Sequence, residues 1–598
     1  MARLTVAPAI VVLGAGALPV AERIRARYQG ATIHALAGRA EGDVAFSELG
    51  AHLRALYARG NPVVALCAAG IVIRCVAPCL ADKGVEPPVL AVAEDGSAVV
   101  PLLGGLTGVN LLAREIAETL GIAPAITTSG ELRFGACVLN PPEGYALADI
   151  RAGKRFVSDL LAGASTRVDG AAPWLEGVAL PVDAAGSHAI RVTPRRAGGA
   201  GSGELLIHPR SVVVALAEGF AHRAASLAAP AQAADHEAGG DPLARRILDA
   251  LAAADLSPLA LAALVAPRQC MREAALARAA RELGVPLRFV ASEADPAGDA
   301  AALLDAALAA GSIDASPAIT LDDDGKPSKS LAIAIAEAPV DANRLGQARG
   351  SLTVLGLGPG RADLLAPAAR LALAEATDIL GYATYVRMAG PFRADQRVHE
   401  TDNREELQRA RHAFELAAQG HRVAMVSSGD PGVFAMAAAV LEALDGAGEP
   451  AWDEVALEVV PGVSAAFATA AEAGAPLGHD FCVISLSDNL KPWGVIEERL
   501  ALAARADLVM AFYNPISKAR PWQLDRALEI LREIRAADTV VVLGRDVGRP
   551  GASLRSLTLG ELRTADVDMR TMVIVGSSKT RRFASAEREW IYTPRFYD

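Results

Sequence analysis

The sequence predicts a multidomain α/β protein, with N-terminal α/β domains followed by a further α/β block at the C-terminus. Three observations carry that expectation. Short β-branched runs alternate with helical patterns over residues 1–131, the mark of a sheet with helices on its faces. After Ser351 one local unit recurs: an apolar strand, a loop of glycine, proline and small residues, then a helix. The 598 residues are 52% hydrophobic, more than one core holds and enough to offset chain entropy, which excludes a disordered or fibrous chain.

Within 1–131, stretches 10–13, 62–66, 89–92 and 98–102 read as strands, and 20–28, 48–59 and 111–120 as the helices between them, giving a parallel sheet. The apolar run 4–21 is broken by Pro8, Gly14, Gly16 and Pro19 and leads into charge at Glu22. It reads as strand, turn and helix rather than a secretory signal, so a cytoplasmic location is expected. Over 132–203 the pattern weakens into a Pro- and Gly-bearing segment that ends in a flexible connection from Arg195. The third block, 204–349, opens on a strand at 211–216 and passes through an alanine-rich stretch at 224–240. Its helix follows, with Asp241 as N-cap and Pro242 at the first helical position. A polar, irregular part spans 321–329, and the fourth block is 350–598.

A net charge of −11 without a basic stripe speaks against a nucleic-acid partner, and no apolar run is suited to a membrane. Six cysteines in so long a chain make no disulfide framework. Cys75 and Cys79 have helical spacing with Cys67 nearby, but no CxxC pair accompanies them, so they read as packing residues and no metal site is expected. The histidines His34, His52, His188, His208 and His236 form no ligand pattern.

The C-terminal block carries the chemistry. LTVLGLGPG, from Leu352, sets Gly356, Gly358 and Gly360 after a strand, but Arg361 stands at the sixth position of a dinucleotide fingerprint. Pro359 also lacks the N–H a pyrophosphate needs, so the loop suits close approach of rigid backbone to a flat or small ligand. VAMVSSGDPGVFAMA from Val423, VVPGVSAAFATAA from Val459, VMAFYNP from Val509 and TMVIVGSSKT from Thr571 are further strand–loop units. In open α/β sheets such loops, beyond the strands' carboxyl ends, hold ligands.

These five motifs, in this order, resemble the tetrapyrrole methylase family, whose members methylate porphyrin-derived macrocycles with S-adenosylmethionine. Within it, GYATYV (381–386), SSGDPGVF (427–434), GHDFCVISLSDNLKPW (478–493), AFYNPISKARPWQL (511–524) and VVLGRDVGRPGASL (541–554) resemble the precorrin-3B C17-methyltransferase branch of cobalamin biosynthesis. The resemblance implies a two-subdomain α/β fold, S-adenosyl-L-methionine as cofactor, a precorrin as substrate and a homodimer. It places the cofactor against Gly358, Pro359, Ser428, Gly429, Asp430, Val433, Ser464, Ala465, Asn514 and Gly576. Methyl transfer needs alignment and exclusion of water rather than a nucleophilic side chain. The branch also contracts the ring, which calls for a proton donor or acceptor, and His479, Asp480, Asp488 and Lys491 are the candidates from the matched motifs. Lys491, Arg545 and Arg549 are candidate partners for the macrocycle's carboxylates.

LCAAGIVIRCVAPCLADK from Leu66, PPVLAVAEDGSAVVPLLGG from Pro87 and ITTSG from Ile126 resemble the cobalt-precorrin-5A hydrolase family, closely over 1–131 and loosely to 345. That family carries a histidine in a GH-x-G-x-N-like motif, where this chain has Gly105-Leu106-Thr107-Gly108-Val109-Asn110, and VALAEG replaces the expected strand end at 214–219. The expectation is a fusion: hydrolase-like regions at 1–131, 132–203 and 204–349, inactive or weakened, joined to an active methyltransferase at 350–598. A corrinoid carrier without turnover, an active hydrolase half and a nicotinamide-dependent reductase are the alternatives, the last disfavoured by Pro359.

Overall fold

The structure, a computed structural model, describes residues 7–28, 30–80, 86–196, 203–218, 220, 241–291, 299–321, 329–390, 392–393, 395–402, 406–585 and 588–596. Two compact units divide the chain between Arg349 and Gly350, with 391–395 belonging to the first. The fold is mixed α/β throughout.

In the first unit, a six-stranded sheet runs in the order Val44–Phe46, Thr32–Leu36, Ala9–Val12, Val63–Leu66, Val89–Val92, Val99–Leu103. Four pairings are parallel and the last is antiparallel. That last pair is a hairpin because only a tight turn separates its strands: Gly96 is left-handed, and Asp95 accepts from the Ser97 amide and hydroxyl. A parallel pair needs a long crossover, so the all-parallel expectation gives way there. Helices Leu18–Arg27, Leu49–Ala58 and Val109–Leu120 form as the periodicity predicts, and Glu48 caps the second by accepting from the Gly50 and Ala51 amides. The edge strand 44–46 and its neighbour 32–36 escaped the sequence reading because their alternation is short and interrupted by histidine and alanine.

The weak pattern at 132–203 conceals a four-stranded sheet, Tyr145–Leu147, Glu204–Pro209, His188–Val192, Thr166–Asp169, under the helix Ile150–Leu161. Its core is small and includes Phe134, Phe156, Leu160, Ile190, Leu205 and Ile207. Strand Glu204–Pro209 completes this sheet, which therefore runs past the compositional boundary at 203. The connection at 197–202, the stretch 224–240 and residues 322–328 lie outside the described residues. A five-stranded sheet follows, with Val212–Leu216 at its centre. Its helix Pro242–Ala253 starts as read, the Asp241 carboxylate accepting from the Leu243 and Ala244 amides.

The second unit holds two larger sheets. In the first, Arg397–Thr401, Asp378–Tyr382, Arg422–Ser427, Ser351–Gly356 and Ala456–Val460 are all parallel. At its amino-terminal edge the fully buried Asp378 bridges His399 and His421, each at 2.8 Å. The second sheet runs Phe481–Ser485, Val509–Tyr513, Thr571–Val575, Val540–Arg545, Ser553–Thr558, parallel in its first pair and antiparallel in the rest. Helices Trp493–Arg505 and Gln523–Ile534 cover one face and Ala465–Ala473 the other. Among the described residues no helix is long and apolar enough to cross a membrane.

A buried imidazole, His34, paired with the half-buried His52, should make the first unit acid-sensitive. His34 is 7% exposed, its Nδ1 2.8 Å from His52 Nε2 and its Nε2 2.9 Å from Thr32 Oγ1. Burial, then the neighbouring His52, pushes His34 from 6.5 down to about 4. The folded unit thus binds fewer protons than the unfolded chain, so the stabilisation is complete above 6.5 and is lost as pH falls toward about 4. The loss amounts to a few kcal/mol. Denaturant midpoints should fall steeply over that window, and less steeply in His34→Asn. Equal acid slopes in the two proteins would show that the pair does not titrate this way.

Candidate active site

Three loops leave one edge of the parallel sheet in the second unit. The pairing sets Gly356 opposite Ser427 and Leu355 opposite Val460, so the three strand ends lie side by side. From Ser351–Gly356 the chain leads to a strand on one flank of the sheet order, and from Arg422–Ser427 to a strand on the other, the switch point at which open α/β sheets form a ligand crevice. Glycine allows the loops to pack backbone on backbone. Gly358 and Gly429 exchange both amide hydrogen bonds, at 3.1 and 2.8 Å, each with a positive φ (68° and 71°) that side chains disfavour. A Cβ on Gly356 or on Gly462 would collide with the Gly429 carbonyl oxygen.

Asp430 ties the second loop to the third. One carboxylate oxygen accepts from the Gly432 amide (2.8 Å) and the other from the Gly462 amide (3.0 Å), so both organise the loops. Val433 follows, its amide donating to the Asp430 carbonyl at 3.2 Å. Ser464, buried, precedes the helix Ala465–Ala473. A Cβ on Gly429 would reach Ser464 Cα at 3.6 Å and Ala465 N at 3.8 Å, leaving space for one carbon between loop and helix start.

The second sheet presents its own edge to these loops. The Tyr513 hydroxyl, at the end of Val509–Tyr513, accepts from the Ala466 amide at 3.2 Å, and its ring lies 5.4 Å from Phe434. Asn514, with φ 51°, donates from Nδ2 to Ser485 Oγ at 3.1 Å. Arg549 donates from Nε to the Pro359 carbonyl (3.0 Å) and from Nη2 to Ser428 Oγ (3.1 Å). Of the cofactor set, Gly358, Pro359, Ser428, Gly429, Asp430, Val433, Ser464, Ala465 and Asn514 thus gather around one crevice. Gly576 does not. Its strand Thr571–Val575 is antiparallel to Val509–Tyr513, so it ends at the opposite sheet edge, where the Gly576 amide donates to the Val540 carbonyl. Five strand steps of about 3.3 Å put it roughly 17 Å from Asn514.

The acid–base candidates divide in the same way. Asp488 and Lys491 follow the strand Phe481–Ser485 and stand at the crevice edge. Asp488 accepts from Gln523 Nε2 at 3.1 Å, and Lys491 Nζ lies 5.8 Å from the Phe434 ring centre. Burial, with Arg499 nearby, lowers the Lys491 pKa. His479 and Asp480 precede that strand and sit at its far end, where the Asp480 amide donates to His479 Nδ1 (2.8 Å) and the Asp480 carbonyl accepts from Val509. Arg545 pairs with Asp568 and Asp546, and Arg549 holds the loops, so both of these candidate substrate arginines have intramolecular partners. Tyr513, Phe434 and the clamping role of Arg549 went unread, although AFYNP, SSGDPGVF and GRDVGR contain them.

The first unit holds a cavity of about 460 Å³, lined mainly by apolar groups including Leu103, Leu106, Phe134, Val138 and Leu139. At one side lies the buried Glu131, which accepts from Asn110 Nδ2 (2.6 Å) and Arg114 (2.7 Å). Among the described residues its lining contains no histidine, and Leu106 stands where the hydrolase motif has one.

Comparison with known proteins matches residues 351–563 to the tetrapyrrole (corrin/porphyrin) methylases and residues 51–131 to the cobalamin synthesis G N-terminal family. A precorrin-3B C(17)-methyltransferase of Sinorhizobium sp. is 52% identical over 249 residues, 42% of this chain and 97% of the relative. The cobalamin biosynthesis protein CobIJ of Mycobacterium tuberculosis is 45% identical over 285 residues, 47% of this chain and 54% of CobIJ, so the chain spans about half of that relative. A probable cobalt-factor III C(17)-methyltransferase of Salmonella typhimurium is 41% identical over 229 residues, 38% of this chain and 93% of the relative.

The loop geometry makes a direct prediction for Asp430. Asp430→Ala leaves two amides without their carboxylate and should lower stability by about 1–3 kcal/mol. Faster amide exchange at Gly432 and Gly462 should accompany the loss. Unchanged exchange at Gly462 would show that the carboxylate does not join the loops.

Proposed function

This chain belongs to the tetrapyrrole methylase family, and we propose that residues 350–598 methylate C17 of precorrin-3B with S-adenosyl-L-methionine, with ring contraction to precorrin-4. The observation that carries this reading is the crevice in which nine of the expected cofactor positions converge on backbone-lined loops, including the one-carbon space between Gly429 and the Ser464–Ala465 helix start. When bound, the cofactor supplies an electrophilic methyl on a sulfonium: the attacking carbon forms the new bond while the S–CH₃ bond breaks and its electron pair returns to sulfur. The protein's part is to hold and align. Gly429, Ser464 and Ala465 would fix the cofactor by backbone approach, and Phe434 with Tyr513 would exclude water. For the contraction step, Asp488 and Lys491 are the acid–base candidates that stand at the crevice.

The first unit is proposed not to hydrolyse a corrin lactone, since its cavity lacks the imidazole. A homodimer fits the family resemblance and the exposed Phe467, which meets Phe481 edge-on at 6.0 Å. Sedimentation of a monomer at micromolar concentration would contradict it. A cytoplasmic location completes the proposal.

The full chain, given methyl-labelled S-adenosylmethionine and precorrin-3B, should transfer label to the macrocycle, whereas a carrier without turnover would transfer none. Running cobalt-free and cobalt-loaded substrate in parallel separates the precorrin route from the cobalt-factor route. Gly429→Val should lower S-adenosylhomocysteine affinity more than tenfold, because a positive φ alone costs about 1–2 kcal/mol and the branches fill the gap. Its circular dichroism should stay unchanged. Leu106→His should leave methyl transfer intact. Normal ligand affinity in a folded Gly429→Val protein would put the cofactor elsewhere.

A further inference from the structure

We propose that Arg549 is a positioning residue that latches the first two cofactor loops together from the second subdomain. The latch is built from its base. Asp546, buried and left-handed at φ 52°, accepts from Arg570 Nε (2.7 Å) and from Arg545 Nη1 (3.0 Å). Its carbonyl accepts the Arg549 amide at 2.8 Å, which closes a tight turn and fixes where the Arg549 side chain begins. That turn lies flat on the first loop. A Cβ on Gly548 would come within 2.8 Å of Pro359, and one on Gly360 within 2.8 Å of Arg549 Cγ. Glycine at both positions is therefore the condition for contact, and each has a positive φ.

From this seat the guanidinium reaches two loops at once. Nε donates to the Pro359 carbonyl at 3.0 Å, on the loop after Ser351–Gly356, and Nη2 to Ser428 Oγ at 3.1 Å, on the loop after Arg422–Ser427. The donor is an ionised guanidinium, so both bonds are charge-assisted although their acceptors are neutral. A planar fork spans two divergent acceptors, whereas a lysine ammonium is a point donor on a flexible stem. The two loops already share the Gly358–Gly429 pair, and Arg549 sets their spacing at the outer end, next to the gap that Gly429 borders. The width of the cofactor slot thus depends on the second subdomain being seated. This rests on the methyltransferase reading of the site.

Three measurements on the full chain test it. In Arg549→Ala, amide exchange at Gly358 and Gly429 should rise at least tenfold in the protein without ligand, and S-adenosylhomocysteine affinity should fall at least tenfold by calorimetry. In methyl transfer the loss should appear in the KM for S-adenosylmethionine more than in kcat. Arg549→Lys should recover only part of the affinity. Ser428→Ala removes one arm, so its loss should be smaller and should not add to that of Arg549→Ala. Wild-type exchange and wild-type affinity in Arg549→Ala would overturn the latch. So would a uniform rise in exchange across the second unit, which marks general destabilisation, or full rescue by lysine. Failure of the wild-type chain to bind S-adenosylhomocysteine would instead overturn the cofactor reading, while the exchange measurement would still decide whether Arg549 holds the loops.

Discussion

Everything at the crevice depends on one backbone contact, the reciprocal hydrogen bonding of Gly358 and Gly429. Two loops that follow neighbouring parallel strands would ordinarily diverge, because their helices lie toward opposite sides of the sheet. Here the loops are pinned together by two amide bonds, and the third loop closes on the same carbonyl through Gly462. No side chain could serve, since a Cβ at Gly356 or Gly462 would occupy the meeting point. The sequence therefore places glycine where the loops must come close, and polar side chains, Asp430 and Arg549, where they need ties.

How much was legible in the sequence follows from the same geometry. Strand-then-loop motifs are readable when the strands are parallel, because every loop after a strand then falls on one edge. The positions read from LTVLGLGPG, SSGDPGVF and VVPGVS converge for that reason. TMVIVGSSKT looks the same locally, but its strand is antiparallel to its neighbours, and the glycine that ends it points to the opposite edge. Pairing direction is not written in a short apolar run. His479 and Asp480 illustrate the complementary error: they belong to a matched motif, but they precede Phe481–Ser485, whereas Asp488 and Lys491 follow it.

The first unit shows where compositional reading fails for a different reason. Its middle sheet has strands of three to six residues, set among prolines and glycines, and its core is assembled from residues far apart in the chain. Alternation over so few residues does not rise above the background of loops. What was legible there was capping: Asp241 and Pro242 announce a helix start by chemistry that needs no tertiary contact.

The two units also differ in how they hold the polar groups beside their clefts. In the first, the carboxylate at the cavity is already satisfied: Glu131 accepts from Asn110 and Arg114, and the lining around it is apolar and without imidazole. Removing either partner would leave a buried polar group without its hydrogen bond. In the second unit two groups at the crevice edge, Asp488 and Lys491, are held differently. Asp488 has an amide partner rather than a cation, and Lys491 faces an aromatic ring while burial lowers its pKa. The side chains that tie the loops, by contrast, are locked to backbone and hydroxyl groups. The residues that tie the loops and those that only face the crevice thus stand side by side on one edge as two separate sets.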